Sequence, residues 1–369
     1  MNKTVVFTGG GTAGHVIPGL AVISSLKKQW SGNIVWIGSI GGMERKIVES
    51  AGIPYYGIPS GKLRRYFSLK NFIDFFKVLA ALLCALLLLL RLKPSVIFSK
   101  GGYVSVPPVL AGKILGIYCL THESDLDPGL ATRINARFAD RLLLSFAETA
   151  NFFGENIKAK IEVTGNPVRE EVLRGSREEG RKRIKVPEST MVLLILGGSQ
   201  GSIRINRLIE EIAEELVKEC FVIHQMGALS YRKSHLKGYL TFEFIGNDFP
   251  HFLAAADLVV SRAGANTLWE LCVLRKPSIL IPLTCAGSRG DQIVNAKFFG
   301  EKGAALVLSE KEATPSAMLK EIISLLRDRN KLESMGRAAA LIGNNNATDS
   351  IVRVLMSRLK DGENESRHA

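Results

Sequence analysis

Short apolar runs alternate with amphipathic stretches along nearly the whole chain. In the first half Val5 to Phe7, Asn33 to Ile37, Val96 to Phe98, Ile117 to Thr121, Arg141 to Leu144 and Ile161 to Val163 read as strands. In the second half Met191 to Leu196, Phe221 to His224, Thr241 to Phe244, Leu258 to Val260, Ser278 to Ile281 and Ala304 to Leu308 repeat the scheme. Helical patterns fall between them, beginning with Pro18 to Leu26 and ending with Ala313 to Arg329, Asn330 to Ile342 and Ala347 to Leu359. Strand and helix in alternation are the mark of βαβ units and parallel sheets.

A polar, charged break runs from Gly165 to Pro187. Directly after it MVLLILGGSQGS restates the opening pattern of strand, paired glycines and helix start. The pattern predicts an α/β protein of two doubly wound, Rossmann-like domains, each opened by its own glycine turn. The boundaries fall at 1–164 and 165–343. A C-terminal segment, 344–369, holds a helix expected to pack back on the first domain and a polar tail, Lys360 to Ala369, expected to be disordered. An active site would belong in the cleft between the domains, at the carboxyl ends of the strands.

One segment stands apart. Val78 to Leu90 is an apolar run of 13 residues with Lys62, Arg64, Arg65, Lys70 and Lys77 before it and Arg91 and Lys93 after it. A spanning helix needs roughly 20 apolar residues, and Asp74 and Lys77 interrupt any extension. Three placements stand open: an apolar crossover helix of the first domain, the same helix presenting part of its apolar surface to an anionic membrane, or a true span. The flanking strands count against a span, which would split a βαβ unit.

Composition narrows the picture. A hydrophobic fraction of 46% excludes a disordered chain, and 35 glycines suit many βα turns. The five cysteines are scattered without metal spacing and suit a reducing compartment. The chain passes from Met1-Asn2-Lys3 straight into a strand, so a cytoplasmic location is expected. The formal net charge of +13 calls for an anionic partner. Nucleic acid is disfavoured, because no zinc knuckle, RRM or KH signature is present and the basic residues are not interleaved with aromatics.

The first glycine turn, Gly9 to Gly14, joins a strand to a helix and makes a phosphate cradle with His15 in the turn itself. It satisfies GxGxxG, yet the second strand ends in Gly38-Ser39-Ile40-Gly41-Gly42 with no carboxylate until Glu44. A dinucleotide site would need that carboxylate for the ribose, so hydride transfer loses its support. Lys100-Gly101-Gly102-Tyr103 and Gly197-Gly198-Ser199-Gln200-Gly201 are further glycine turns. Each alone suits a tight βα turn; together they point to anion binding.

His122-Glu123-Ser124-Asp125 ends a strand, and Asp127 followed by Pro128 and Gly129 reads as a capped helix start. Capping accounts for Asp127 in its DxD spelling, so no metal site is expected. His224, His235, His251 and His368 read as structural or surface residues. Ser261 to Glu270 runs from a strand into a helix, with Glu270 one turn beyond Asn266 and Thr267, placed to accept from two ribose hydroxyls. Asp291, Gln292 and Asn295 open the next helix.

These residues closely resemble the MurG family, glycosyltransferase family 28, through GGGTAGH (Gly9 to His15), SKGGYVSVP (Ser99 to Pro107), HESD (His122 to Asp125) and GNPVR (Gly165 to Arg169). The match continues through GGSQG (Gly197 to Gly201), SRAGANTLWE (Ser261 to Glu270) and SRGDQIVNA (Ser288 to Ala296). The resemblance implies a GT-B fold and transfer of N-acetylglucosamine from its UDP donor to an undecaprenyl-linked muramyl-pentapeptide at the cytoplasmic membrane face, with no cofactor. It implies that Thr12, Ala13 and Gly14 approach the donor sugar and that Arg169 and Ser199 meet the diphosphate. Ile245 would lie against uracil, Ala265, Asn266, Thr267, Leu268, Trp269 and Glu270 would span phosphate to ribose, and Gln292 would contact the sugar.

The chain departs from the common family pattern at Asp125, where many members have a sugar-bonding asparagine, and at Asp291, where many have a glutamine. Each replaces an amide by an acceptor-only carboxylate. For inverting transfer His15 is the candidate base, since imidazole titrates near neutrality, and Glu123 is the alternative. A relative acting on another lipid such as a diacylglycerol, and a nucleotide-binding protein without transfer activity, are the competing expectations.

Overall fold

The computed structural model describes residues 3–61, 70–198, 201–284, 289–343 and 346–365. The chain divides into two compact units, Met1–Pro167 joined by Asn346–Ala369, and Val168–Asn345.

The strands of the first unit are β1 (Thr4–Thr8), β2 (Asn33–Ser39), β3 (Tyr55–Ile58), β4 (Val96–Ser99), β5 (Tyr118–Glu123), β6 (Arg141–Leu144) and β7 (Ile161–Val163). They form one sheet in the order β3-β2-β1-β4-β5-β6-β7, with every pairing parallel. Its helices are α1 (Ile17–Lys27), α2 (Glu44–Ser50), α3 (Lys70–Leu92), α4 (Val106–Ile114), α5 (Leu130–Phe138) and α6 (Glu155–Lys158). The second unit opens with α7 (Glu170–Leu173) and α8 (Arg177–Ile184). Its sheet then follows in the order β10-β9-β8-β11-β12-β13, again parallel. Those strands are β8 (Val192–Leu196), β9 (Phe221–Gln225), β10 (Tyr239–Phe242), β11 (Leu258–Ser261), β12 (Ser278–Leu280) and β13 (Ala305–Val307). Helices α9 (Ile203–Glu211), α10 (Ala213–Glu219), α11 (Phe249–Ala255), α12 (Ala265–Val273), α13 (Asp291–Glu301), α14 (Pro315–Arg327) and α15 (Arg329–Ile342) accompany them. The last helix, α16 (Ala347–Glu365), belongs to the first unit.

Each sheet reverses its strand order once, between β1 and β4 and between β8 and β11. In open parallel sheets ligands bind beyond the carboxyl ends of the strands at that switch. The residues leaving β1 and β4 are Gly9 and Lys100; those leaving β8 and β11 are Gly197 and Arg262. Four glycine-bearing motifs of the sequence therefore stand at the two switch points.

The core explains the apolar runs. On one face of the first sheet Val5, Phe7, Trp36, Val96 and Phe98 pack with α1 and with Ile351, Val352, Leu355 and Leu359 of α16. On the other face Val6, Ile37 and Ile97 pack with Ala81, Ala85 and Leu89 of α3 and with Val109 and Ala111 of α4. The apolar segment read as Val78 to Leu90 thus lies within a 23-residue helix that covers the sheet. Its outer side keeps Phe76, Leu79, Leu83, Leu87 and Leu90 exposed, Leu87 by 69%. Among the described residues no helix is long and apolar enough to cross a membrane. Lys62, Arg64 and Arg65 lie outside the described residues.

Three local expectations are corrected, and one strand is added: Tyr55–Ile58 forms an edge strand that the sequence pattern did not disclose, because Pro54, Gly57 and Pro59 mask a segment of only four residues. The polar break after Gly165 contains two short helices; Ser176 caps the second by accepting from the Glu179 amide at 3.2 Å. The expected disordered tail is helical to Glu365, carried on from the packed turns of α16. Asp127 caps nothing. The N-cap of α5 is Gly129 without a side-chain bond, and Asp127 instead accepts from Arg133 at 2.8 Å.

Candidate functional site

In the first unit the glycine turn after β1 is shaped from below by Glu44, which is fully buried at the start of α2. Its carboxylate accepts from the amides of Ser39 at 2.9 Å and Gly11 at 3.3 Å, and from the Ser39 hydroxyl. Burial works against its charge, but these hydrogen bonds outweigh burial and hold the carboxyl below its ordinary range. A dinucleotide enzyme would aim a carboxylate from this strand end at a ribose. Here it is turned inward, and one amide of the expected cradle, that of Gly11, is spent on it. Sequence reasoning missed this role because Glu44 is five residues beyond the strand.

The turn after β4 needs its glycine. Gly102 has φ +79, and a Cβ there would collide with the carbonyl oxygen of Gly10, so the two turns touch backbone to backbone. His15 joins them as well. Its Nδ1 lies 3.1 Å from the main-chain oxygen of Lys100. A carbonyl only accepts, so Nδ1 carries the proton and Nε2 the lone pair. Thr12 is exposed, and Ala13, Gly14 and His15 are half-buried.

At the end of β5 the two buried members of His122-Glu123-Ser124-Asp125 face inward. Glu123 is 4% exposed, and its oxygens accept from the amides of Ser124 at 2.8 Å, Asp125 at 3.0 Å and Gly129 at 3.0 Å. That carboxylate shapes the turn. His122 is also buried, and burial followed by the neighbouring Lys100 charge pushes its imidazole well below the usual value. Ser124 donates to Asn166 at 2.7 Å, and Ser124 and Asp125 are half-buried.

In the second unit Gly201 takes the corresponding turn. Its φ is +79, and a Cβ would strike the Met226 carbonyl. Ser202 caps α9, accepting from the Ile205 amide and, at 2.9 Å, from Arg262. Arg262 also donates to the carbonyls of Ile281 and Pro282 at 3.0 and 3.3 Å and pairs with Glu310 at 2.7 Å. It ties together the loops after β8, β11 and β12. Ser199 lies outside the described residues.

Gln225, at the end of β9, accepts from the amide of Ile245 at 3.1 Å and donates to the carbonyl of Gly198 at 3.4 Å. It links the expected base-contacting residue to the expected diphosphate turn; nothing in its spacing pointed to it. Below it His224 sits between Tyr239 at 2.7 Å and Asn206 at 3.0 Å, and Asn206 donates to the Met226 carbonyl at 2.8 Å.

On α12 the helical period sorts the expected contacts. Asn266 and Thr267 are half-buried and share a face with Glu270, whereas Leu268 and Trp269 are 0% and 1% exposed and belong to the core. Ala265 is buried as well, so the side chains of this motif that reach solvent are those of Asn266 and Thr267. Glu270 accepts from Arg169 Nε at 3.3 Å and Nη2 at 2.8 Å, and the guanidinium lies over the Phe249 ring at 5.4 Å. Burial raises the Glu270 carboxyl, and Arg169 only partly offsets it. Gln292, in the first turn of α13, accepts from the Leu283 amide at 3.1 Å, and Asn295 is buried, donating to the Ala263 carbonyl at 3.2 Å. Asp291 pairs with Arg289 at 3.5 Å. Among the described residues no group of three His, Cys, Asp or Glu side chains is placed to hold a metal ion.

Known proteins resemble this arrangement along the whole chain. The model of the glycosyltransferase family 28 N-terminal domain matches residues 5–144, and that of the family's C-terminal domain matches residues 192–354. A Treponema denticola protein named UDP-N-acetylglucosamine–N-acetylmuramyl-(pentapeptide) pyrophosphoryl-undecaprenol N-acetylglucosamine transferase is 44% identical over 366 residues, covering 92% of this chain and 94% of its own. A Clostridium perfringens protein of the same name is 46% identical over 350 residues, with coverage of 94% and 97%. The crystal structure of Acinetobacter baumannii MurG aligns with a TM-score of 0.75 at 26% identity, covering 96% of this chain and 99% of its own. A UDP-GlcNAc 2-epimerase from Methanocaldococcus jannaschii, at a TM-score of 0.61 and 17% identity over 97% and 100% of the two chains, shares the fold alone.

Proposed function

The chain belongs to glycosyltransferase family 28, and on that premise we propose that it transfers N-acetylglucosamine from UDP-N-acetylglucosamine to the C4 hydroxyl of the muramyl sugar in undecaprenyl-diphospho-muramylpentapeptide. The product is the lipid-linked disaccharide of peptidoglycan synthesis. The observation that carries this reading is 44% identity across 92% of the chain to an enzyme named for that transfer.

The second unit would hold the donor. Glu270 would accept from the ribose hydroxyls, Ile245 would flank the uracil, and Gln292, its oxygen engaged by Leu283, would offer its amide nitrogen to the sugar. Arg169, Ser199 and the N-terminus of α9 would meet the diphosphate, the helix end favouring an anion by its dipole. The first unit would activate the acceptor. Its C4 oxygen attacks the anomeric carbon, the bond from that carbon to UDP breaks with inversion, and the hydroxyl proton passes to His15 Nε2. The bond to Lys100 supports His15 in this role, because it leaves the basic nitrogen on the other side of the ring. Glu123 is less suited, with both oxygens already engaged by main-chain amides.

The exposed stripe of α3 supports peripheral attachment to the cytoplasmic face of an anionic membrane, where the acceptor's lipid resides. Its apolar residues recur at spacings of three and four, and exposed Lys77, Arg91 and Lys93 flank them.

The test is acceptor choice. Labelled donor is offered with the lipid-linked muramyl-pentapeptide or with diacylglycerol in matched vesicles. Label entering only the former supports the proposal; label entering diacylglycerol instead would overturn the acceptor assignment.

A further inference from the structure

Lys100 opens the second glycine turn, at the first unit's switch point, and its side chain is engaged outside that turn. Its side chain is 2% exposed, and its Nζ lies 2.9 Å from His122 Nδ1 and donates to the Ser124 hydroxyl. An ammonium has no lone pair, so His122 Nδ1 must accept and the ring proton must sit on Nε2. That Nε2 is 2.9 Å from the Gly165 carbonyl, to which it donates. Ser124 in turn donates a hydrogen bond to the Asn166 side-chain oxygen. The Lys100 carbonyl receives His15 Nδ1, and its amide donates to Thr8 at 2.8 Å. One residue thus connects the glycine-histidine turn, the His122–Asp125 turn and the segment from Gly165. The charges facing its ammonium are the carboxylates of Glu123, the last residue of β5, and of Asp125 in the turn that follows; His122 meets it as a neutral ring.

We propose that Lys100 is a positioning residue for the transfer reaction, its side chain holding the His122 ring through Nδ1 and the Ser124 hydroxyl and so fixing the turn that carries Asp125, while its carbonyl orients His15. This rests on the transfer reading above. Lys100 touches no reactant; it acts through the residues it holds. Asp125, which stands where an amide is common in this family, is then a partner to a buried cation, and its carboxylate helps to balance that charge.

The experiment compares the wild type with Lys100→Met and Lys100→Arg. Methionine keeps length and removes charge; arginine keeps charge. Ring 15N spectra of histidine-labelled protein read the His122 tautomer without any substrate, so failure there is separable from failure of the transfer reading. We expect the His122 ring, assigned by its absence from the spectrum of a His122→Gln variant, to be protonated on Nε2 at pH 7 with its Nδ1 signal shifted by the Lys100 bond, and that Nδ1 shift to be lost in Lys100→Met.

In the transfer assay Lys100→Met should lose roughly 10–100-fold in kcat, the scale of a small misplacement of reacting groups, with donor KM nearly unchanged. Burial lowers the Lys100 ammonium to about 8, partly countered by Glu123 and Asp125. The wild-type rate should therefore fall above about pH 8, and Lys100→Met should lack that alkaline limb. Lys100→Arg, if folded by thermal melt, should recover part of kcat without the limb. The proposal is overturned if Lys100→Met leaves the His122 Nδ1 signal unmoved, if it keeps kcat, or if its loss of rate only tracks a lowered melting temperature and a raised donor KM.

Discussion

The Nδ1–H of His15 donates to the main-chain carbonyl of Lys100 across 3.1 Å, joining the first glycine turn to the second. This bond decides which nitrogen can take a proton, and it is made to main chain, so substitution of the Lys100 side chain does not remove the acceptor. Replacing His15 by alanine should lower turnover by roughly 10² or more, the usual range for a general base. Donor binding, measured by calorimetry, should persist. A His15→Ala enzyme of near-normal turnover would remove the imidazole from the reaction.

Arg169 and Glu270 form the corresponding pair of the second unit. Glu270→Gln keeps the shape but gives up a charged acceptor for the ribose, a loss of about 1.5–3 kcal/mol in binding or roughly 10–150-fold in donor KM. Nucleotide titration checks it. A variant that binds UDP as tightly as the wild type would leave the carboxylate with a role in the fold only.

Acid should unfold this protein early. Burial lowers His224 from 6.5 to about 3, so between those values the unfolded chain takes up a proton that the folded chain refuses. Stability is unaffected above pH 6.5 and is lost as pH falls below it, by about 2 kcal/mol at pH 5 for this ring. His122 shifts in the same direction and adds to the loss. Urea unfolding at pH 7.5 and pH 5 measures the difference. A His224→Gln variant with a flatter profile would assign the effect to this ring; an unchanged profile would place it elsewhere.

Cys84 offers a probe of the membrane face, being exposed on α3 while Cys119, Cys220 and Cys272 are buried. Alkylation at Cys84 should be rapid in buffer and slowed by anionic vesicles, and high salt should restore much of it. Replacing Leu83 and Leu87 by aspartate should abolish vesicle binding without lowering the melting temperature, since both are exposed, by 55% and 69%. Vesicle binding that survives the double substitution would move the contact off this helix.

What the sequence disclosed was whatever is local. Strands buried on both faces are legible as unbroken apolar runs, and the glycine turns at the two switch points are legible because close backbone approach permits little else. The strand Tyr55–Ile58 was hidden by its flanking prolines, and the helices after Arg169 by a polar surface that carries no apolar stripe. In the site, Glu44, Lys100 and Arg262 were visible only as members of their motifs and Gln225 not at all, because the partners that define their roles are supplied by other loops. On α12 the motif reads as a continuous contact, but helical geometry turns Leu268 and Trp269 into the core.

The most direct measurement is transfer of labelled N-acetylglucosamine from its UDP donor, with and without the lipid-linked muramyl-pentapeptide acceptor and with EDTA present. The account predicts label in the lipid fraction only when acceptor is added, at a rate that EDTA leaves unchanged. Donor that binds while its sugar stays in the aqueous phase with acceptor present would contradict it.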